Sequence, residues 1–251
     1  MKEAMKIFSC YSIKGGVGKT ALAVNLAYFL KDTGRRTLLI DLDPQGAAGF
    51  YFRVAPAGSF SPADKKELGV DWVRRHIKES DFPGLDILPS NLGYRHLDVF
   101  LSGMKKPRRQ LDKSLSHLDE DYDAVVLDCP PNITLLAENI FRASSVILVP
   151  VIPTTLSVRT FQQLTGFLQA EGLERVRVRP YFSMVQNGKR LHRETIWEMR
   201  EASAGFLNTE IPFATEVESM GIRRAPLLAG RSHSLAAKAY RALCMEIVSN
   251  H

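Results

Sequence analysis

The chain has 251 residues, 45% hydrophobic and 24% charged, with 33 Lys and Arg against 27 Asp and Glu for a formal charge of +6. Those proportions exclude a disordered or low-complexity chain and suit one α/β domain over 1–251, with a substantial core. No stretch nears 18 apolar residues, the N-terminus lacks a signal-peptide core, and Cys10, Cys129 and Cys244 are odd in number and set in apolar runs; a soluble cytoplasmic protein with reduced, buried thiols is expected.

A β-prone run through Ile7, Phe8, Cys10 and Tyr11 leads into Ser12-Ile13-Lys14-Gly15-Gly16-Val17-Gly18-Lys19-Thr20, and an amphipathic run from Ala21 to Leu30 leads out. Strand, glycine-rich turn and helix in that order aim backbone N–H groups and a helix N-terminus at one anion. Gly15, Gly16 and Gly18 permit close approach to a phosphate, Lys19 can bridge two phosphates, and Thr20 can offer its hydroxyl to Mg²⁺. Residues 36–41 then read as a buried strand ending in an acid, and 44–68 as a breaker-rich loop with short helical turns. A helix is expected over 71–80, a short strand over 85–89, helices near 91–102 and 107–118, and a second acid-terminated strand over 122–128. The alternation continues with a helix near 133–143, a strand over 145–151, a helix over 157–171, a strand over 178–185 and a helix over 193–206. A short strand ending at Ile211-Pro212-Phe213 and a helix over 234–248 close the chain. Strands separated by helices of ten or more residues imply a doubly wound α/β fold: a mostly parallel sheet with helices on both faces.

Sites in such sheets gather at the carboxyl ends of the strands. The glycine-rich turn, Asp41-Leu42-Asp43-Pro44-Gln45-Gly46 and Asp128-Cys129-Pro130-Pro131 all fall there. Strand-terminal aspartates commonly cap turns, but here they accompany a lysine and a hydroxyl suited to a Mg²⁺-bound polyphosphate. Gly16-Val17-Gly18-Lys19-Thr20-Ala21 also reads as a dinucleotide fingerprint with Asp41 about 20 residues on. A dinucleotide site has no need of the Lys19-Thr20 pair and several carboxylates together, so ATP is favoured.

The general P-loop pattern fails by one residue, because Ile13 holds the first glycine position. Lys14-Gly15-Gly16-Val17-Gly18-Lys19-Thr20 instead resembles the deviant P-loop of the ParA/MinD family of ATPases, and the two aspartate segments resemble the switch regions of its ParA group. The resemblance implies a P-loop NTPase fold and an ATP-dependent homodimer in which Lys14 crosses to the partner's nucleotide. It implies that Asp43 orients the attacking water, that Thr20, Asp41 and Asp128 serve Mg²⁺ directly or through its waters, and that Asn187, Pro212 and Phe213 hold adenine. Residues Pro150 to Ser157 resemble the family's segment after a central strand. The family further implies non-specific DNA binding, association with the nucleoid, and an activating partner that stimulates hydrolysis while a plasmid, chromosome or protein body is positioned.

Lys189, Arg190, Arg193 and Arg200, with Arg223, Arg224 and Arg231, are the candidates for a DNA surface; Lys105, Lys106, Arg108 and Arg109 make a second cluster. A solvated face explains either cluster equally well. Glu216 and Glu218 stand where partition proteins of this family tend to carry a basic residue. Arg175, Arg177 and Arg179 suit a charged edge strand or a ligand site. The last helix looks like core packing and leaves no basic tail, so membrane binding of the MinD type is not expected, although a MinD-like regulator acting on a protein partner is the alternative. Paired cysteines for a metal cluster are lacking, and Lys14 with the Asp43 segment argues against an amide ligase of the dethiobiotin-synthetase type.

Overall fold

The computed structural model describes residues 4–56, 70–173, 176–203, 205–230 and 233–249. Its strands are β1 (Lys6–Cys10), β2 (Thr37–Asp41), β3 (Lys78–Glu79), β4 (Leu85–Leu88), β5 (Ala124–Asp128), β6 (Val146–Val151) and β7 (Arg177–Phe182). Its helices are α1 (Lys19–Asp32), α2 (Ala47–Tyr51), α3 (Val70–His76), α4 (Leu97–Ser102), α5 (Gln110–Ser116), α6 (Leu135–Ala143), α7 (Thr155–Ala170), α8 (Arg190–Ala202), α9 (Thr215–Glu218), α10 (Met220–Arg223) and α11 (Leu235–Ser249).

The sheet order is β3-β4-β2-β5-β1-β6-β7, parallel throughout except for β3 against β4. β2, β5 and β6 are buried along their whole length, as parallel strands covered on both faces must be. The two-residue period sorts their side chains into two cores. Leu38, Ile40, Val125, Leu127, Ile147 and Val149 point to the side covered by α3 to α8. Leu39, Ala124, Val126, Val146 and Leu148 point to the side covered by α1 and α11. Helices on both faces make the fold the expected doubly wound one.

Six local expectations need correction. The helix expected to reach residue 80 stops at His76, and Lys78–Glu79 pair antiparallel with β4 through the turn at Pro83 and Gly84 (φ 88°). The stretches near 91–102 and 107–118 each begin with a 3₁₀ turn, Leu92–His96 and Pro107–Arg109; the first is capped by the Asn91 side chain, which accepts from Gly93 N at 2.7 Å. β7 ends at Phe182 because Met184 turns the chain with φ 55°, and the short strand at 211–213 shrinks to a single bridge, Val185 to Pro212. α8 accordingly starts earlier than expected, at Arg190, and ends earlier, at Ala202. β7 is the edge of the sheet, and its exposed Arg177 fits a charge-guarded edge; Arg175 lies outside the described residues.

Asn25 shows what joins the C-terminal segment to this frame. It is fully buried on α1; its Nδ2 donates to Ala21 O at 2.7 Å and to Met220 Sδ at 3.5 Å, and its Oδ1 accepts from Leu228 N at 3.0 Å. Asn25→Ala strands the Leu228 N–H in a dry interior, which costs about 1–3 kcal/mol. Urea unfolding should show that loss of stability with an unchanged m-value.

Candidate functional site

Three carboxyl strand ends meet here, those of β1, β2 and β5. β1 runs through Tyr11 into the glycine-rich loop, and Tyr11 OH donates to Asn132 O at 3.0 Å, tying that loop to the segment after β5. Gly16 (φ 70°) and Gly18 (φ 97°) occupy left-handed torsions that a side chain would strain. A Cβ on Gly18 would also come within 3.1 Å of Ser183 Oγ, the hydroxyl that donates to Val17 O at 2.9 Å. α1 starts at Lys19 with no acidic residue in its first turn, so its N-terminal N–H groups keep their full attraction for an anion. Val17 is buried, and Ala21 sits in the opening turn of α1.

The two lysines of the loop point different ways. Lys19 is buried, donates to Lys14 O at 3.3 Å, and has its pKa lowered by burial against the opposing pull of Asp128 and Asp43. Lys14 reaches outward to α7, where its Nζ donates to Ser157 Oγ at 3.5 Å; Thr154 Oγ1 donates to the same oxygen at 3.2 Å.

Asp41 and Asp128 are register partners on adjacent parallel strands, and both are fully buried. Asp41 accepts from Asp43 N at 3.2 Å, Ala48 N at 2.9 Å and Gly49 N at 3.2 Å. Burial nevertheless pushes its pKa up to about 7. Asp128 is driven well above the ordinary carboxylate range by burial and by Asp41; the Thr20 hydroxyl approaches it, yet neither carboxylate oxygen has a hydrogen-bond partner of normal geometry. Asp43 sits at the mouth, its Oδ1 accepting from Gln45 N at 3.0 Å. Among the described residues no three His, Cys, Asp or Glu side chains stand close enough to cage a metal alone. The hydroxyl of Thr20 beside the unpartnered Asp128 is nonetheless an oxygen donor set of the kind Mg²⁺ takes when phosphates and water complete its shell.

Between these elements lies an open cleft of about 720 Å³. Gly15, Gly16, Gly18, Lys19, Thr20 and Ala21 line one side, Asp43 and Gln45 another, and Arg95, Asn132 and Met184 close it. Arg95, Met184 and the supporting Ser183 escape the motif reading. Arg95 follows β4, a strand end that parallel topology places beside β2, and that position is the signal that could have found it.

Asn187, Pro212 and Phe213 are brought near one another by the Val185–Pro212 bridge, with Phe213 N donating to Val185 O at 3.0 Å, but they are not among the cleft's lining residues. Lys189, Arg190, Arg193, Arg223 and Arg224 are all exposed. Arg190 pairs with Glu194 at 2.6 Å, and Arg193 donates to Asn187 O at 2.7 Å. Arg224 lies over the Phe50 ring at 4.6 Å, and Arg108 pairs with Glu138 at 2.8 Å. Arg231 lies outside the described residues. The three cysteines are free and buried, and no helix among the described residues is long and apolar enough to cross a membrane.

Known proteins agree with this geometry. The family described as AAA domain (AAA_31) matches residues 5–174. An uncharacterized protein of Pseudomonas putida is 31% identical, over 97% of this chain and 94% of its own length. The chromosome partitioning protein ParA of Myxococcus xanthus is 31% identical over 61% of this chain and 54% of its own, so the match spans about half of that relative. In three dimensions, the ATP complex of Cyanothece McdA shares the fold with a TM-score of 0.83 at 20% identity, over 98% of this chain and 97% of that one. On the strength of the family match and of the deviant loop from Lys14 to Thr20, the chain belongs to the ParA/MinD family of P-loop ATPases.

Proposed function

We propose that the chain binds ATP with Mg²⁺ in the 720 Å³ cleft, hydrolyses it, and uses the cycle to switch a homodimer that holds DNA without sequence preference while a cargo is positioned. One observation carries the reading. The phosphate-binding loop's buried lysine and the Thr20 hydroxyl stand beside a carboxylate, Asp128, that lies just beneath the cleft lining, buried and with neither oxygen in a hydrogen bond of normal geometry. A buried carboxylate of this kind is costly unless a cation meets it. Mg²⁺, when bound, neutralises charge on the phosphate oxygens and on this carboxylate. Lys19 and the N-terminus of α1 hold the phosphates, and Asp43 at the mouth positions the attacking water. Lys14, turned out of the cleft towards α7, is free of any cis role in phosphate binding and is assigned to a partner's nucleotide. The named ParA relative and the McdA complex with ATP support the class of activity.

A second reading, a nucleotide switch acting on a protein partner without DNA, is favoured by the engagement of Arg190 and Arg224 with Glu194 and Phe50 and by the acidic first turn of α9. A salt series with two unrelated duplexes separates the two. Nucleotide-bound Asp43→Ala protein should bind both equally, with log affinity falling by about 0.9 per phosphate neutralised for each tenfold rise in salt. No binding at low salt would leave the protein-partner reading.

Lys14→Ala and Asp43→Ala should fail differently. The first should bind ATP yet sediment as a monomer. The second should bind ATP and form the dimer while turning over about a hundredfold more slowly, the loss expected of a transition-state contact. Wild-type turnover in Asp43→Ala would move the water-positioning role elsewhere.

Asp128 also predicts a pH dependence. Its folded pKa is raised above 3.8, so the folded state keeps a proton that the unfolded chain releases. Wild-type stability therefore falls as pH rises above the unfolded value towards the folded one. Asp128→Asn removes that loss. Without nucleotide, the melting temperature of the variant relative to wild type should be higher at about pH 7.5 than at about pH 5, while Mg²⁺-dependent ATP binding weakens. A difference that does not change with pH would show that Asp128 is ionised in the folded chain throughout.

A further inference from the structure

Arg95 is a second cation in the cleft and belongs to none of the three motifs at its rim. It lines the cavity with Lys19, Thr20 and Asp43, but it is carried by the 3₁₀ turn that follows β4, on another side from the glycine-rich loop. The turn is firmly held. Asn91 caps it through Gly93 N, Tyr94 and Leu97 are buried beneath it, and Ser90 Oγ donates to the Asp43 carbonyl, so the loop bearing Asp43 and the turn bearing Arg95 are joined. The guanidinium is not used up by a carboxylate. Among the described residues its bond is Nε to Nε2 of His96 at 3.0 Å, which leaves both terminal amino groups for a ligand.

Charge points to what that ligand is. The lining of the cleft holds Lys19 and Arg95 against one acid, Asp43, while the ammonium of Lys14 sits outside it on Ser157. A nucleoside triphosphate brings about four negative charges, and a guanidinium fork matches phosphate oxygens in pairs. Lys19 and the α1 N-terminus already serve the phosphates that ATP and ADP share. A cation across the cleft, beside the residue that positions water, is placed for the phosphate that only ATP carries.

We propose that Arg95 binds the terminal phosphate of ATP in cis, so that it sets the preference of the cleft for triphosphate over diphosphate and supplies positive charge during hydrolysis. The inference rests on the nucleotide reading of the cleft. It makes the β4 turn a third sensor of nucleotide state, coupled to Asp43 through Ser90.

The test is calorimetry on the full chain with Mg²⁺, using ADP and a non-hydrolysable ATP analogue, for wild type, Arg95→Ala and Arg95→Lys. Arg95→Ala should weaken the triphosphate analogue by between about tenfold and about a hundredfold, the worth of a charged hydrogen-bonded contact, and ADP by less than about threefold. Arg95→Lys keeps the charge, loses the fork, and should fall between. ATP turnover should drop in the same order, while the melting temperature without nucleotide changes little, because only the exposed bond to His96 is lost. An equal weakening of both nucleotides, or none, would overturn the role of Arg95 alone. Wild-type protein that binds neither nucleotide would overturn the reading of the cleft and this inference with it.

Discussion

Asp41 and Asp128 stand opposite one another across the β2–β5 ladder, on the same side of the sheet and out of water. Two carboxylates so placed cannot both ionise cheaply, and the conflict is felt at Asp128, whose pKa is raised first by burial and then by Asp41, while burial leads the rise at Asp41. The chain resolves it by giving the two acids different surroundings. Asp41 receives three backbone N–H groups and is spent on holding the segment that follows β2. Asp128 receives none, has Thr20 and Lys19 as its neighbours, and keeps its capacity for a cation. A partner that satisfied Asp128 within the fold would have stabilised the resting protein and left no open acceptor beside Thr20.

The anchoring of Asp41 has consequences farther out. Its carboxylate fixes the amides of Ala48 and Gly49 and so sets the position of α2. The far end of α2 touches the basic segment near residue 224. Arg224 stacks on Phe50 and donates to its carbonyl at 3.2 Å, and Arg53 reaches Arg223 O at 3.3 Å. Arg53 and Arg224 both hold left-handed torsions, with φ 58° and 49°, a backbone cost that persists only where surrounding contacts impose it. One short helix thus spans the distance between the nucleotide cleft and two of the residues considered for DNA. Asp41 at one end and Arg224 at the other therefore bear on the same short helix.

Much of the fold was legible because parallel strands buried on both faces need near-continuous apolar runs, and the strands expected over 36–41, 122–128 and 145–151 carry them at 38–40, 124–127 and 146–151. The regular alternation with helices then left few topologies open. The misreadings have local causes. The run from 71 to 80 carries helical residues to its end, yet β4 would otherwise form a bare sheet edge, and Lys78–Glu79 take up that pairing through the turn at Gly84. Met184 looks like a strand residue, and a left-handed torsion at a non-glycine position is invisible to propensity. It is also what truncates β7.

The meeting of the glycine-rich loop and both acids at the strand ends was legible because each motif is contiguous and ends a recognisable strand. Arg95 and Ser183 were not, because neither belongs to a motif; the topology delivers them. Ser183 illustrates the point. In the sequence it is one polar residue at the end of an apolar run, but β7 lies next to β6 and ends level with the glycine-rich loop, where its hydroxyl takes the Val17 carbonyl. The same hydroxyl lies 3.1 Å from where a Cβ on Gly18 would stand, so a side chain there would have to push it aside. Gly18 is therefore required twice, once for its torsion and once for the space that Ser183 occupies. The local pattern reports only the first requirement. The second arises because the loop must be pressed against a strand far along the chain if its N–H groups are to keep a fixed shape for phosphate.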